Sequence, residues 1–482
     1  MKSLERLHLQ KDIDDLRVLI VAEHASLKFG GEAALPLHYF RVLRKRGIEA
    51  WLIVHERTRE ELKSIFQADF DRIHFISDTS LHRIVWQHSK LLPKRLSYFT
   101  FGLILRLMTQ ATQRGLAKQI AHDQQIDVIH QPIPVSPKEP SMIFDMGVPV
   151  VIGPMNGGMK YPPAFKDMQN RWVELSLGLG YLFSNFFNTL IPGKHRATIL
   201  LTANQRTTDA LPQGTRGKII ELVENGVDLS VWRPEFYSSN PNPENFVQKG
   251  LAQCAKKELQ KPTKFVFIGR LVDWKAVDLL LIAFKHASEQ LSIELEIIGD
   301  GPERKGLEEK ARELGLAQFK SCTQEEVPGQ DSAHATQVRE QIHFAGWLSQ
   351  ADCAQRMLRA DALILPSILE CGGAVVLEAM TMSIPVIATN WGGPADYLDE
   401  SCGILVEPTS PDSFIDNLAD AIIKMAQQPK LRQVMGKAGR SRALNNFDWE
   451  LKVDAILQIY QEAIKIYKIE QEMLNGQLSK VN

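Results

Sequence analysis

The 482-residue chain is poor in the features that would place it in a specialised class. Its five cysteines, Cys254, Cys322, Cys353, Cys371 and Cys402, are odd in number and show no paired spacing. They build neither a disulfide framework nor a thiolate zinc site, and they fit a reducing compartment. An excess of one charge is also missing: 56 Lys and Arg face 57 Asp and Glu, for a formal net charge of −1. A protein that mainly coats nucleic acid is more basic than this, so no nucleic-acid partner is expected. No segment reaches the roughly 18 uninterrupted apolar residues of a membrane span. Residues 1–15 hold no apolar core followed by a cleavage site, so no secretory leader is expected. The predicted location is therefore the cytoplasm.

Two stretches come partway to a span, 98–108 (YFTFGLILRLM) and 173–192 (VELSLGLGYLFSNFFNTLIP). They read as core or interdomain helices, or as a face that touches lipid. Lys90, Lys94, Arg95, Arg106, Arg114 and Lys118 flank the first run. Such a pattern suits peripheral contact with an anionic inner membrane face, and both readings stay open.

What the chain does have is alternation. Near-continuous apolar strands are predicted at 17–22, 50–54, 127–130, 148–152, 199–202 and 219–222, with a helix at 32–46. Residues 234–262 then carry four prolines and read as a linker or surface excursion. Strands resume at 264–268, 294–298, 342–345, 362–366, 386–389 and 403–406, with a helix at 277–290. Residues 321–341 are polar without a clear period and read as a surface insertion. Long amphipathic helices close the chain from 429 to about 474. Strand and helix alternating in this way predict α/β architecture: two doubly wound parallel-sheet domains of Rossmann-like type, facing across a cleft. The predicted domains are 16–233, then the 234–262 linker, then 263–447, with a final helix at 448–474 returning to the first domain.

Ligands of such sheets bind beyond the carboxyl ends of the strands, and four stretches fall there. The first is LILPSILECGGAVVLEAMTMSIPVIATNWGG, 363–393. Glu370 precedes Gly372 and Gly373, which open a helix that carries Glu378, an E-x7-E pattern. The N–H groups of Gly373, Ala374 and Val375 would face a ligand, and a helix start attracts phosphate. The second is FVFIGRLVDWKAVD, 265–278, which puts Arg270 and Lys275 just after a strand. A diphosphate leaving group needs its charge neutralised as its bond to sugar breaks, and two basic side chains with backbone amides can do so in place of a metal. No metal site is expected. Asp69-Phe70-Asp71 sits in a polar stretch and reads as a solvated helix face. The third is IIGDGP, 297–302, where Asp300 and Gly301 offer either a plain turn or a wall for a nucleoside. Backbone near Gly299 and Gly346-Trp347 is the expected seat of the base. The fourth is the Gly30-Gly31 turn before the first helix, where phosphate or acceptor can approach the backbone.

In this order the four stretches resemble glycosyltransferase family 4, the group 1 retaining glycosyltransferases of GT-B fold. The Asn225-Gly226-Val227-Asp228 turn and the closing RSRALNNFDW, 440–449, extend the likeness over most of the chain. The resemblance implies a hexosyltransferase that moves sugar from a nucleotide-diphosphate donor, a UDP- or GDP-sugar, to a glycan or lipid-linked acceptor, as in polysaccharide biosynthesis. It implies no cofactor. The first domain would bind acceptor and the second the nucleotide-sugar. Arg270 and Lys275 look like the pair on the donor diphosphate, Glu370 like the carboxylate on the sugar hydroxyls, and Glu378 like the one on the ribose. A sugar-nucleotide epimerase, or a non-catalytic nucleotide-sugar-binding protein, is the alternative on this scaffold.

The chain departs from the family in three places. Ala276 follows Lys275 where many relatives have glycine. Cys371-Gly372-Gly373 stands for Gly-Phe-Gly. After the strand at 148–152 it reads Gly-Pro-Met-Asn-Gly-Gly, 153–158, without the histidine common there. Asn156 and the glycine amides are the expected replacements for sugar contact. His130, at another strand end, is a weaker candidate and reads more readily as a satisfied structural residue.

Overall fold

The protein is described by a computed structural model covering residues 13, 15–89, 100–168, 184–237, 261–317 and 341–481. It divides into two compact units, one of 1–158, 171–226 and 449–482, the other of 159–170 and 227–448. Each is built on a parallel sheet.

The first unit holds seven strands: β1 (Arg17–Val21), β2 (Glu49–His55), β3 (Ile73–Ile76), β4 (Val128–Gln131), β5 (Val150–Met155), β6 (Ile199–Thr202) and β7 (Lys218–Glu221). Their order is β3-β2-β1-β4-β5-β6-β7, all parallel. The chain winds outward from β1 to β3, then restarts beside β1 with β4, so the switch lies between β1 and β4. β3 was not expected. It is four residues long, IHFI, and follows the short 3-10 stretch Gln67–Arg72 that contains Asp69 and Asp71. His74 breaks its apolar run, so the segment does not stand out from the polar residues around it.

Burial on both faces explains why the strands read as apolar runs. Val18, Ile20, Leu52, Val54 and Val151 enter one core with Leu35, Tyr39 and Phe40 of the helix Gly31–Lys45. Leu19, Val21, Ile53, Ile129 and Ile152 enter the other, with Ala117 and Ile120 of the helix Phe101–Asp123. The last helix, Trp449–Val481, supplies Trp449, Val453, Ile456, Leu457 and Tyr460 to the first of these cores. Arg46 fastens its start, with Nη1 to Asp454 at 2.6 Å and Nε to Glu450 at 2.9 Å.

The second unit holds six: β8 (Thr263–Ile268), β9 (Ile293–Ile298), β10 (Ile342–Gly346), β11 (Ala362–Leu365), β12 (Val386–Thr389) and β13 (Gly403–Val406). Their order is β10-β9-β8-β11-β12-β13, again all parallel. Here the switch lies between β8 and β11. The helices Val277–Ser288, Ala374–Thr381, Pro411–Gln427 and Pro429–Asn446 cover this sheet.

Unit boundaries differ from the sequence expectation in two places. Residues 227–233 group with the second unit, where Val227 bridges Asp448 and donates its N–H to the Phe447 carbonyl at 2.8 Å. Residues 159–170, expected in the first domain, also group with the second. The apolar run at 98–108 enters the helix Phe101–Asp123, half-buried, with Ile104 exposed. Residues 173–183 of the other run, 173–192, lie outside the described residues, as do most of the 234–262 and 321–341 segments. Among the described residues, no helix is long and apolar enough to cross a membrane.

Candidate functional site

In the second unit the candidate residues collect at the carboxyl ends of the strands, on either side of the switch. Gly269 and Arg270 leave β8, and Asp273–Lys275 makes one 3-10 turn before the helix Val277–Ser288. Across the switch, β11 runs into Ser367 and Glu370. The two loops are tied: the amides of Ile368 and Leu369 both point to the Trp274 carbonyl, at 2.9 and 3.4 Å. Lys275 Nζ and Glu370 Oε2 form an ion pair, with side chains only 15% and 14% exposed. Adjacent strands that wind in opposite directions leave a gap at their ends, and the pair sits in it.

Gly373 then takes φ 82°, a left-handed conformation open to glycine, and caps the helix Ala374–Thr381. Its α-carbon faces Glu370 closely: a Cβ there would lie 3.2 Å from Glu370 Cγ. The Gly373, Ala374 and Val375 amides therefore begin a helix directly beside the ion pair. First-turn amides have no partner in the helix's own ladder. Lys275, Glu370, Gly372, Gly373, Ala374 and Val375 thus form one cluster. Arg270 leaves the same β8 end and is exposed.

Asp300 and Gly301 join from the neighbouring strand. The β9 turn lies against the β8 turn, with the Leu271 amide donating to the Asp300 carbonyl at 3.0 Å. Neither Gly299 nor Gly301 has room for a Cβ, which would overlap the carbonyl oxygens of Gly269 and Leu271. Contact this tight admits glycine alone. The Gly299 amide donates to the Gly346 carbonyl at 2.8 Å, which attaches the end of β10, and Trp347 beyond it is 70% exposed.

Glu378 lies one helical turn past Gly373. Burial of its carboxyl pushes the pKa up to about 8, although the residue keeps part of its surface open. Cys353 shares this apolar place, and burial and then the Glu378 charge push its thiol up to about 12.

The first-unit candidates are placed differently. Gly30, at φ 101°, caps the helix Gly31–Lys45, and added Cβ atoms at Gly30 or Gly31 would meet open space. Asn156 is buried at 5% exposure; its Nδ2 donates to Glu224 Oε1 at 2.7 Å, and Thr207 Oγ1 donates to its Oδ1 at 3.5 Å. Its side-chain amide is thus engaged inside the first unit. His130 is fully buried and bonded at both nitrogens, Nε2 with the Gly153 carbonyl at 2.6 Å and Nδ1 with Tyr460 Oη at 2.7 Å. A carbonyl only accepts, so Nε2 carries the proton and Nδ1 accepts from the tyrosine. Burial lowers its pKa to about 4, so the ring stays neutral. The structural reading of His130 is the one the geometry supports.

The Ala276 departure has a local consequence. Ala276 holds φ 50° as the cap of the next helix, a conformation that favours glycine, and is fully buried. Sequence reading missed one neighbour. Trp391, just before Gly392-Gly393, donates its indole N–H to the Lys160 carbonyl at 2.9 Å.

Residues 262–427 match the family model described as Glycosyl transferases group 1. The chain is 29% identical over 271 residues to a D-inositol 3-phosphate glycosyltransferase of Saccharomonospora viridis, covering 55% of this chain and 53% of that one. It is 28% identical over 263 residues to the Mycobacterium bovis protein of the same name, covering 54% and 47%. The chain therefore spans about half the length of the curated relatives it matches. Among solved structures it is similar to Anabaena HepE in complex with UDP, at TM-score 0.59 and 14% identity over 93% of this chain and 100% of that one. With its two parallel sheets the chain has the GT-B fold, and its residues 262–427 match the family model of the group 1 glycosyl transferases.

Proposed function

We propose that the chain is a retaining glycosyltransferase that transfers a hexose from a nucleotide-diphosphate donor to a glycan or lipid-linked acceptor, without a metal ion. The observation that carries this reading is the Lys275–Glu370 pair at the β8–β11 switch, beside the Gly373–Val375 helix start. A cation, a carboxylate and free first-turn amides in one place match a diphosphate joined to a polyhydroxyl sugar. Arriving diphosphate competes for the Lys275 charge, which releases the Glu370 carboxylate to accept from sugar hydroxyls. Arg270, Lys275 and the amides then stabilise the leaving group as the glycosidic bond breaks. The leaving phosphate takes the acceptor proton, and attack from the same face retains configuration. Glu378 serves the ribose, and the Asp300-Gly301 turn with Trp347 borders the nucleoside. HepE was solved with UDP, so UDP-sugars are the first donors to try.

The test is release of nucleoside diphosphate from a panel of UDP- and GDP-sugars, with and without acceptors, with the product anomer read by NMR. Acceptor-dependent release that persists in EDTA, with retained configuration, is expected. Release that ignores acceptor, or is abolished by chelation, would sink the reading.

A further inference from the structure

The Gly-Pro-Met-Asn-Gly-Gly-Met-Lys stretch, 153–160, is the sequence feature that the proposed reaction leaves unexplained. Its first half ends β5 in the first unit, while Met159 onward belongs to the second. Gly158 makes the exit turn at φ 72°, with no space for a Cβ against the Arg206 carbonyl. From there residues 159–168 run over the second unit as a strap. Its far end is anchored by Phe165, 1% exposed, whose ring meets Phe414 edge-on at 5.9 Å. Its near end lies on the turn after β12. A Cβ at Gly392 would overlap Met159 Cε at 2.6 Å, and the Lys160 carbonyl accepts from Trp391.

That turn rests directly on the loop of the proposed catalytic carboxylate. The Gly393 amide donates to the Glu370 carbonyl at 2.8 Å. Cβ atoms at Gly392 and Gly393 would overlap the carbonyl oxygens of Glu370, Cys371 and Gly372. Contacts therefore run without a gap from strap to turn to Glu370. Lys275 restrains only the carboxylate end of that residue, and the strapped turn restrains its backbone.

We propose that Trp391 is a positioning residue for Glu370, and that the strap 159–168 holds it there. The proposal rests on the glycosyltransferase reading above. Trp391→Phe keeps an aromatic ring but cannot donate to Lys160, and Phe165→Leu loosens the anchor at a distance from the site. Each is compared with the parent for kcat, donor KM, affinity for the nucleoside diphosphate alone, and Tm. A group that contacts the reacting sugar is displaced while the diphosphate seat is not. The expected result is a roughly fivefold lower kcat, the size of one net hydrogen bond, with KM and diphosphate affinity within about twofold. Parental kcat in both variants would overturn the proposal. So would parallel losses of kcat, diphosphate affinity and Tm, which mark a merely structural contact. If Trp391→Phe does not fold, Phe165→Leu decides alone. A parent without acceptor-dependent release fails before any variant is compared; that result discards the glycosyltransferase reading, and this inference with it.

Discussion

At the residue scale, the Lys275–Glu370 pair assigns unequal tasks to its members. Glu370→Ala removes the carboxylate proposed for the sugar but leaves the diphosphate cation. Turnover should fall by about 100-fold, with nucleoside diphosphate still bound. Lys275→Ala removes the charged contact proposed for the diphosphate, and donor affinity should fall by roughly tenfold or more. Calorimetry with nucleoside diphosphate separates the two, and equal effects on binding would contradict the division. Glu378 makes a different prediction. Its pKa is raised by burial from the ordinary 4.5 to about 8, so between these values the folded chain holds a proton that the unfolded chain has lost. Stability from this group is full below pH 4.5 and is lost as pH rises through about 8. Glu378→Gln should flatten that part of the Tm–pH curve and gain most over the parent near pH 8. Parallel curves would refute the assignment.

At the element scale, glycines in the second unit divide into two kinds. Gly299, between β9 and the helix Arg304–Glu313, touches the Gly269 carbonyl and holds φ 141°, while Gly306, inside that helix, has open space around it. Gly299→Ala should cost more than about 2 kcal/mol, because backbone must move at a strained φ. It should also abolish thermal stabilisation by donor. Gly306→Ala should be neutral or add about 0.5–1 kcal/mol. Chemical denaturation of both variants checks the contrast. Elements were legible where their residues form an unbroken apolar run. Strands 199–202, 386–389 and 403–406 lie where the runs VIL-type and IAT-type residues predicted. β3 escaped because His74 interrupts its short apolar run, IHFI, between polar turns. Residue type and spacing singled out Arg270, Lys275, Glu370 and the glycines as candidates, and the family resemblance suggested the role proposed for each. The partnership of Trp391 with Lys160 was not, since it joins residues 231 positions apart.

At the scale of the whole molecule, the chain is not two consecutive beads. The final helix belongs to the first unit, where Val453, Ile456, Leu457 and Tyr460 complete a core and Tyr460 fixes His130. Lys452 is buried beside it, with Nζ bonded to the Val223 carbonyl. Ending the chain at Asp448 removes all of these and should unfold the first unit, since each large buried side chain contributes several kcal/mol. Ending it at Glu472 removes only exposed or undescribed side chains and should leave Tm unchanged. Limited proteolysis of the two truncations distinguishes them, and a protected first unit in the shorter one would count against this account.

The sequence by itself determined the class of the molecule: two parallel sheets, because apolar runs alternate with helical patterns through both halves, and a helix opened by glycine beside charge, because Glu370, Gly372 and Gly373 follow a strand end. Tertiary structure alone decided which distant residues meet. It brought Lys275 to Glu370 across the sheet switch, enclosed His130 and Asn156 in hydrogen bonds, and laid the 159–168 strap behind the Glu370 loop. Periodicity reports the burial of a residue along its own element, and it carries no record of the partner that buries it.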